Sequence, residues 1–172
     1  MQHSQTMGAR EAPLGNIDER TEHGSGQPRL QPANIEQILQ TDVETVQEDT
    51  PVATAVAEME SADVGSVVVL DEEQSPAGVL TDRKVALSVE EMPDVGKREV
   101  RELVDSDPVT GTADMNVYDV VQLLNDHSIR RLPIVDETGE LEGIITLDDI
   151  IVLLATEFNA MAEIIKAQSP RL

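Results

Sequence analysis

The sequence predicts an α/β protein that consists of two tandem strand–helix–strand–strand–helix (βαββα) repeats packed around one shared core. Of its 172 residues, 40% are apolar, which is enough to form a buried core. A shift of 65 positions aligns residues 42–87 with residues 107–152 without a gap. Both copies contain a helical apolar period and two β-branched runs around a polar turn. A repeat of this size buries too little surface to be stable alone, so the two copies are expected to pack together.

The internal repeat is supported by identical residues at matching positions. The identical polar and glycine pairs are Asp42 and Asp107, Thr45 and Thr110, Asp49 and Asp114, Asp71 and Asp136, Glu72 and Glu137, Gly78 and Gly143, and Thr81 and Thr146. Apolar columns match more widely, so each element is predicted twice, once in each copy.

One helix of each repeat is predicted from apolar residues that recur every three or four positions. In the first copy this helix begins near Pro51, because proline suits the first helical position. The apolar faces consist of Val52, Val56 and Met59 in the first copy, and of Val117, Val120, Val121 and Leu124 in the second.

The strands are predicted from short β-branched runs that flank polar turns. They cover residues 66–70 and 78–80 in the first copy, and residues 132–135 and 143–145 in the second. The turns between them cover residues 71–75 and 136–140, and the second contains Gly139. Each second strand leads directly into a further helix.

The remaining segments complete the predicted domain organisation. The boundaries are a flexible tail at 1–31, a first repeat at 32–90, a linker at 91–106, a second repeat at 107–167 and a short tail at 168–172. The linker contains a predicted amphipathic helix that aligns with a similar segment before the first repeat, so each unit is expected to have a leading helix. The apolar residues of these two segments are Val100, Leu103 and Val104, and Ile35, Ile38 and Leu39.

The last predicted helix, over about residues 147–167, carries a wide apolar stripe. Its members are Ile150, Ile151, Leu154, Phe158, Met161 and Ile165. This stripe is wider than one packed face requires, so we expect the chain to form a homodimer. Tyr118 and Phe158, the two aromatic residues of the sequence, are expected in the core or in an interface.

The charge balance is strongly acidic. The sequence has 34 acidic and 12 basic residues, a net charge of −22, and the excess lies in the folded part rather than in the tail. This pattern is typical of a cytoplasmic protein from a halophilic archaeon, since molar salt shortens the Debye length to about 3 Å and screens the self-repulsion. An ordinary acidic protein is the alternative.

Composition also excludes several classes of function. With no cysteine, the chain has no disulfide framework, cysteine nucleophile or thiolate metal site. The longest apolar run, residues 150–155, is far shorter than the roughly 18 residues of a membrane helix. The net charge repels phosphate backbones and there are too few aromatic residues to stack bases, so neither nucleic acid nor a membrane is an expected partner.

Two pairs of segments resemble the CBS domain. In the second copy these are residues 130–136 (RRLPIVD) and 143–149 (GIITLDD), and in the first copy residues 65–71 (GSVVVLD) and 78–83 (GVLTDR). Two tandem copies resemble a Bateman module, and the resemblance covers about residues 35–165. It implies a pseudo-twofold disc with two clefts that bind adenosyl compounds such as AMP, ADP, ATP or S-adenosylmethionine.

The resemblance also implies which residues hold the ligand. In the family pattern Gly-h-h-Thr-x-x-Asp, where h is apolar, the hydroxyl and the carboxylate hold ribose and phosphate. Thr146 and Asp149 match this pattern, with Asp148 beside them. In the first copy Thr81 matches, but Lys84 stands in place of the aspartate. The two clefts are therefore expected to differ.

The same motif has a structural interpretation that the spacing leaves open. A strand that runs into a helix presents backbone N–H groups and a positive dipole end to an anion. However, Thr146 and Asp149 also have the spacing of a capping box, and Asp148 and Asp149 favour a helix N-terminus without any ligand. One residue can serve both roles.

The basic residues beside the motifs leave two interpretations open as well. Arg83 and Lys84 lie in the first turn of a helix, where the helix dipole disfavours cations. They are interpreted either as residues that bind a phosphate or as ion-pair partners of surface carboxylates. Arg130 and Arg131 begin a strand and suit bidentate phosphate contact or structural ion pairs. His127 is expected in a structural role or at a rim.

The leading hypothesis is a stand-alone, non-enzymatic regulatory module that binds an adenosyl ligand, requires no cofactor or metal and acts on an unidentified protein. The sequence contains no nucleophile–base pair, clustered metal ligands or glycine-rich phosphate loop. The alternative is a structural homodimerisation scaffold with degenerate pockets. A small enzyme is a third, less favoured interpretation.

Overall fold

The computed structural model describes residues 34–105 and 107–168. The predicted tail at 1–31 lies outside these residues. The first repeat consists of β1 (Thr45–Gln47), α1 (Val52–Ala62), β2 (Ser66–Leu70), β3 (Pro76–Thr81) and α2 (Asp82–Ser88). The second consists of β4 (Gly111–Thr112), α3 (Val117–Asp126), β5 (Arg131–Val135), β6 (Leu141–Thr146) and α4 (Leu147–Gln168). The predicted βαββα order is therefore confirmed in both copies.

The two three-stranded sheets have the same topology and register. Their strand orders are β1-β2-β3 and β4-β5-β6, with a parallel first pair and an antiparallel second pair. Ser66 pairs with Thr81 in the first sheet, as Arg131 pairs with Thr146 in the second. In both sheets the antiparallel register shifts at the last residue of the middle strand. The 65-residue offset thus extends to individual backbone pairs.

The turns between the antiparallel strands are built alike. Asp71 and Asp136 begin them, and each carboxylate accepts bonds from the backbone N–H groups two and four residues further on. Gly139 has φ of 91°, and Gln74 takes the same position in the first copy with φ of 64°. The turn needs a left-handed residue there, which glycine adopts most easily.

Alternation along β2 divides the core. Val67 and Val69 pack on one face with α1, whereas Val68 and Leu70 pack on the other face with Ile144 of the second sheet. The sequence predicted one shared core, but the described residues form a separate cluster in each repeat and a smaller third cluster between the sheets. The reason is that each sheet has two apolar faces, of which one is covered by its own helix.

The leading segments contain single 3-10 turns, Ile35–Gln37 and Val100–Glu102, rather than the predicted amphipathic helices. Each turn packs on the core of the other repeat. Ile35 lies fully buried in the second cluster, and Val100 and Leu103 lie in the first. The two repeats therefore exchange their leading segments, which links them along the chain.

Helix α4 is packed at its start and exposed along most of its length. Ile150 is buried, but Phe158 is 67% exposed. Tyr118, on α3, is 69% exposed, so neither aromatic residue lies in the core, and the alternative that they lie in an interface stays a prediction. No helix among the described residues is long and apolar enough to cross a membrane.

Candidate functional site

Two clefts lie where one repeat meets the other. Cleft A has a volume of about 790 Å³, and its polar lining residues are Thr81, Asp82, Arg83, Asp105, Asp107, His127, Ser128, Arg130 and Arg131. Cleft B has a volume of about 330 Å³, and its polar lining residues are Gln40, Asp42, Glu44, Ser66, Arg131 and Thr146. The volume of cleft A lies within the roughly 300–1,000 Å³ typical of small-molecule sites.

The clefts are equivalent by the internal repeat. Every residue that lines cleft B, except Arg131, aligns at the 65-residue offset with a residue that lines cleft A. Thr146 of cleft B corresponds to Thr81 of cleft A, and Asp42 corresponds to Asp107. Each cleft combines the motif threonine of one repeat with the residues around the first two strands of the other. The pseudo-twofold pair of clefts was implied by the family resemblance.

The cleft linings differ in charge. Cleft A contains Arg83, Arg130 and His127, whereas the aligned positions in cleft B or beside it hold Asp148, Gly65 and Ala62. The acidic lining residues are Asp82, Asp105 and Asp107 in cleft A, and Asp42 and Glu44 in cleft B. Arginine is thus concentrated on one side of the pseudo-twofold axis.

The Thr146–Asp149 motif forms a reciprocal cap on α4. Asp149 Oδ2 accepts bonds from the backbone N–H of Thr146 at 2.9 Å and from its Oγ1 hydroxyl at 2.6 Å. Thr146 Oγ1 in turn accepts from the N–H of Asp149 at 3.2 Å. Gln40 Nε2 donates to Asp149 Oδ1 at 2.7 Å. The capping interpretation is therefore present in the structure, and ligand contact by these residues stays a prediction.

The matching motif in the first repeat keeps half of this arrangement. Thr81 Oγ1 accepts a bond from the N–H of Lys84 at 3.1 Å, so the threonine caps α2. Lys84, at the position of Asp149, has no carboxylate that could accept hydrogen bonds from Thr81. Asp82 Oδ1 accepts from the N–H of Arg83 at 2.6 Å. The free N–H groups expected at this strand–helix junction are thus taken by side chains.

The basic side chains of the predicted site differ in their partners. Arg130 Nη2 lies 3.3 Å from Asp148 Oδ1, which is the ion pair that the structural interpretation expected. Within residues 34–105 and 107–168, the side chains of Arg83, Lys84 and Arg131 form no ion pair with an acidic group.

The structure brings five of the eight predicted site residues to the cleft walls. Thr81, Arg83 and Arg130 line cleft A, Thr146 lines cleft B and Arg131 lines both. The other three, Lys84, Asp148 and Asp149, lie beside the clefts rather than in their linings. Their roles as ligand contacts stay predictions.

Sequence reasoning missed Asp105, Asp107 and Gln40. Asp107 was recognised as a repeat position but not as a cleft residue, and Gln40 and Asp105 align with each other at the same offset. That paired occurrence of polar residues just before the first strand of each repeat was the available signal. His127 lies at the wall of cleft A, in agreement with a rim position.

A scan of family models matches the CBS domain twice, at residues 35–91 and 100–156. The chain belongs to the CBS domain family. It carries a CBS domain pair, and both copies of the repeat fall within the matched ranges.

Sequence relatives of this CBS domain pair include proteins of unknown and of known activity. It is 34% identical to the CBS domain-containing protein YhcV of Bacillus subtilis over 70% of this chain and 84% of the relative. It is 33% identical to the uncharacterized protein MK0525 of Methanopyrus kandleri over 71% of this chain and 63% of the relative. A third relative, the inosine-5'-monophosphate dehydrogenase of Methanocaldococcus jannaschii, is 31% identical over 67% of this chain but only 22% of the enzyme.

Solved structures share the fold of the CBS domain pair. CBSX2, crystallised in complex with AMP, superposes with a TM-score of 0.63 at 24% identity over 72% of this chain and 97% of that one. The CBS domain pair of protein MJ0100, in complex with 5'-methylthioadenosine and S-adenosyl-L-methionine, superposes with a TM-score of 0.66 at 20% identity. The match covers 74% of this chain and 99% of that one. These similarities establish the tandem repeat architecture.

Proposed function

We propose that this CBS domain pair is a non-enzymatic regulatory module that binds an adenosyl ligand between its repeats. The observation that carries the proposal is cleft A, a cavity of about 790 Å³ with a threonine, three arginines and three aspartates in its wall. A threonine hydroxyl can donate a hydrogen bond to ribose or accept one from it, a carboxylate accepts hydrogen bonds from ribose hydroxyls, and arginine suits phosphate.

The fold neighbours support the ligand class. Two CBS proteins of the same architecture hold AMP, or 5'-methylthioadenosine and S-adenosyl-L-methionine, all of which contain adenosine. Ligand identity for this chain is the open part of the proposal. A change of shape or partner affinity on binding requires that the ligand bind two conformations with different affinity.

The non-enzymatic part of the proposal is supported by the family match, because the two CBS domains at residues 35–91 and 100–156 account for most of the chain. The dehydrogenase relative matches this chain over 22% of its length, so its activity does not transfer. We propose that the regulated target is a separate protein in the cytoplasm.

Thermal-shift titration tests the ligand proposal. The full chain in about 2 M KCl is titrated with AMP, ADP, ATP, S-adenosylmethionine and NADH. A ligand present at 100 times its dissociation constant adds about 2.7 kcal/mol to the free energy of unfolding, which raises Tm by several degrees. A saturable rise with at least one adenosyl compound supports the proposal, and no rise with any of the five overturns it.

A second function, homodimerisation, is favoured by α4. Ile151, Leu154, Phe158 and Met161 are 44–67% exposed and follow one another at steps of three, four and three residues. This spacing of 3.5 residues is that of a coiled-coil seam, which pairs with an identical helix. We propose that a second copy of the chain covers α4, whether or not the clefts bind a ligand.

A further inference from the structure

We infer that the two clefts select adenosyl ligands by charge: cleft A takes the phosphorylated nucleotide, and cleft B excludes phosphate and accepts an uncharged or cationic adenosyl compound. This inference rests on the proposed function and specifies the ligand class of each cleft. It also reverses what the motif alone predicts, because the threonine of the complete Thr-x-x-Asp sequence, Thr146, lines cleft B, with Asp149 beside it.

The first step is the comparison of aligned positions. Because the clefts are related by the 65-residue offset, each is a natural control for the other. Two residues after the motif threonine, the first repeat has Arg83 and the second has Asp148, so the charge at this position changes from positive to negative. Arg130 aligns with Gly65, which has no side chain to contact a phosphate. The lining of cleft B therefore lacks both arginines, while Asp148 forms an ion pair with Arg130 at 3.3 Å and offsets part of its charge.

The second step concerns Arg131, which lines both clefts. Its Nη2 lies 3.6 Å from the point where a Cβ on Gly65 would lie, and Asp82 Oδ2 lies 3.5 Å from the same point. The Arg131 guanidinium and the Asp82 carboxylate therefore both lie beside Gly65, at ordinary van der Waals distance from this point. In cleft A Arg131 adds to Arg83 and Arg130, whereas among the described residues that line cleft B it is the single cation, in a lining that also contains Asp42 and Glu44.

The third step concerns the aspartates of cleft A. Asp82, Asp105 and Asp107 equal the three arginines in number. However, Asp82 accepts a hydrogen bond from the backbone N–H of Arg83, and among the described residues neither Asp105 nor Asp107 forms an ion pair with an arginine. Arg83 and Arg131 have no acidic partner within residues 34–105 and 107–168. They are therefore available for an anion, while Asp105 and Asp107 in the same lining can accept hydrogen bonds from ribose hydroxyls.

The fourth step is the effect of salt. The net charge of −22 repels phosphate at long range, but at molar salt the Debye length is about 3 Å, so only direct contacts remain effective. Under these conditions the arginines at the wall decide which anion binds. Neighbouring Lys84, although outside the lining, adds a further cation on the same helix turn.

Calorimetric titration of the full chain with adenosine, AMP, ADP and ATP in 0.5 and 2 M KCl tests the inference. We expect affinity to increase with each phosphate, and Arg83→Gln to weaken ATP binding by about tenfold or more while changing adenosine binding by less than about twofold. Lys97→Gln, which removes the same charge at a position outside both cleft linings, is the matched control and should leave both affinities unchanged.

A second variant adds a cation to cleft B. Ser66 aligns with Arg131, so Ser66→Arg is expected to raise the ATP stoichiometry from one to two per chain. If adenosine binds as tightly as ATP, or if Lys97→Gln weakens ATP binding as much as Arg83→Gln, the charge selection is wrong and the adenosyl-binding proposal stands. If no adenosyl compound binds the unmodified chain, both proposals are overturned.

Discussion

The side-chain amide of Gln40 donates a 2.7 Å hydrogen bond to Asp149 Oδ1, which ties the segment before the first repeat to the last helix of the second. The other oxygen of this carboxylate is held by Thr146. The aspartate that a family motif assigns to a ribose therefore has protein donors on both oxygens. Because Asp149 caps α4 and binds Gln40, it contributes to stability whether or not cleft B binds a ligand.

Replacement of Asp149 by alanine is expected to lower the free energy of unfolding by about 1 kcal/mol, because the α4 cap and the Gln40 contact are both lost. Asp148→Ala is the matched control. It removes one exposed ion pair with Arg130, which is worth about 0–1 kcal/mol. Denaturant unfolding in constant KCl measures both. Equal losses in the two variants would contradict the capping role.

Glycine is required where the exchanged leading segments cross the sheets. A Cβ on Gly143 would lie 2.6 Å from the Gln40 carbonyl oxygen, and a Cβ on Gly78 would lie 2.6 Å from Val104 Cβ. These positions correspond in the two repeats. Gly143→Ala and Gly78→Ala are each expected to destabilise the chain by about 1–3 kcal/mol through overpacking.

Gly96 provides the control for these substitutions. A Cβ there meets Ala53 Cβ at 3.5 Å, an ordinary van der Waals distance. Gly96→Ala should therefore change the free energy of unfolding by less than about 1 kcal/mol, within the range of a helical glycine-to-alanine change. If Gly78→Ala and Gly143→Ala are as mild as Gly96→Ala, the leading segments do not cross the sheets this closely.

Most secondary structure could be predicted from the sequence because its causes are local. The polar turns at Asp71 and Asp136, and the β-branched run of β2, are set by neighbouring residues. The exchange of the leading segments could not be predicted. The apolar residues around Ile35 and Val100 show that one face is buried, but periodicity does not specify which repeat covers it.

The candidate site was predictable in its residue types but not in its grouping. The motif spacing identified Thr81 and Thr146, yet it did not show that Thr81 shares a cleft with Arg130, because that contact depends on how the two repeats pack. The sequence also could not decide whether Asp149 caps the helix or contacts a ligand, since both roles require the same spacing from Thr146. The choice between core and interface for Phe158 could not be made from the sequence either, because an aromatic residue on an apolar stripe does not specify what covers the stripe.

The pKa of Asp136 lies below its ordinary value, chiefly because the Thr138 side chain donates a hydrogen bond to the carboxylate and the Thr138 N–H donates a second. Since the folded state holds the lower pKa, this stabilisation is present above the pKa of the unfolded chain and is lost as pH falls through that of the folded chain. Thr138→Val removes the side-chain bond and should raise the pKa of Asp136 toward its ordinary value.

Carboxyl carbon chemical shifts followed over pH measure this change directly. Glu137→Gln is the control, because it removes a neighbouring charge without removing a hydrogen bond to Asp136. If both variants shift the pKa equally, general electrostatics rather than the turn hydrogen bonds sets it.

The acidic surface leads to a salt-dependent stability. With a net charge of −22, the folded chain repels itself at low ionic strength, and added KCl screens this repulsion. We propose an origin in a salt-accumulating archaeon, and we expect Tm to rise by several degrees or more between 0.1 and 2 M KCl. Differential scanning calorimetry measures it. A Tm that is constant or falls over this range would contradict the proposal.

The exposed face of α4 is expected to form the dimer contact. A seam with Leu154 and Phe158 at successive core positions pairs favourably with an identical helix, since each side chain inserts between residues of its partner. Phe158→Glu places a carboxylate in this seam and should convert a dimer into a monomer. Light scattering after size-exclusion chromatography in about 2 M KCl, where charge repulsion between copies is screened, measures the mass.

Leu87→Glu separates the seam from general surface hydrophobicity. Leu87 lies on α2 and is 64% exposed, comparable with the 67% of Phe158, but it is outside the α4 seam. The dimer should persist in this variant because the heptad contacts are intact. A monomeric unmodified chain would exclude the α4 dimer, and dissociation by Leu87→Glu would assign the contact to α2. If the Phe158→Glu monomer still binds its adenosyl ligand, dimerisation and ligand binding are separate properties of the chain.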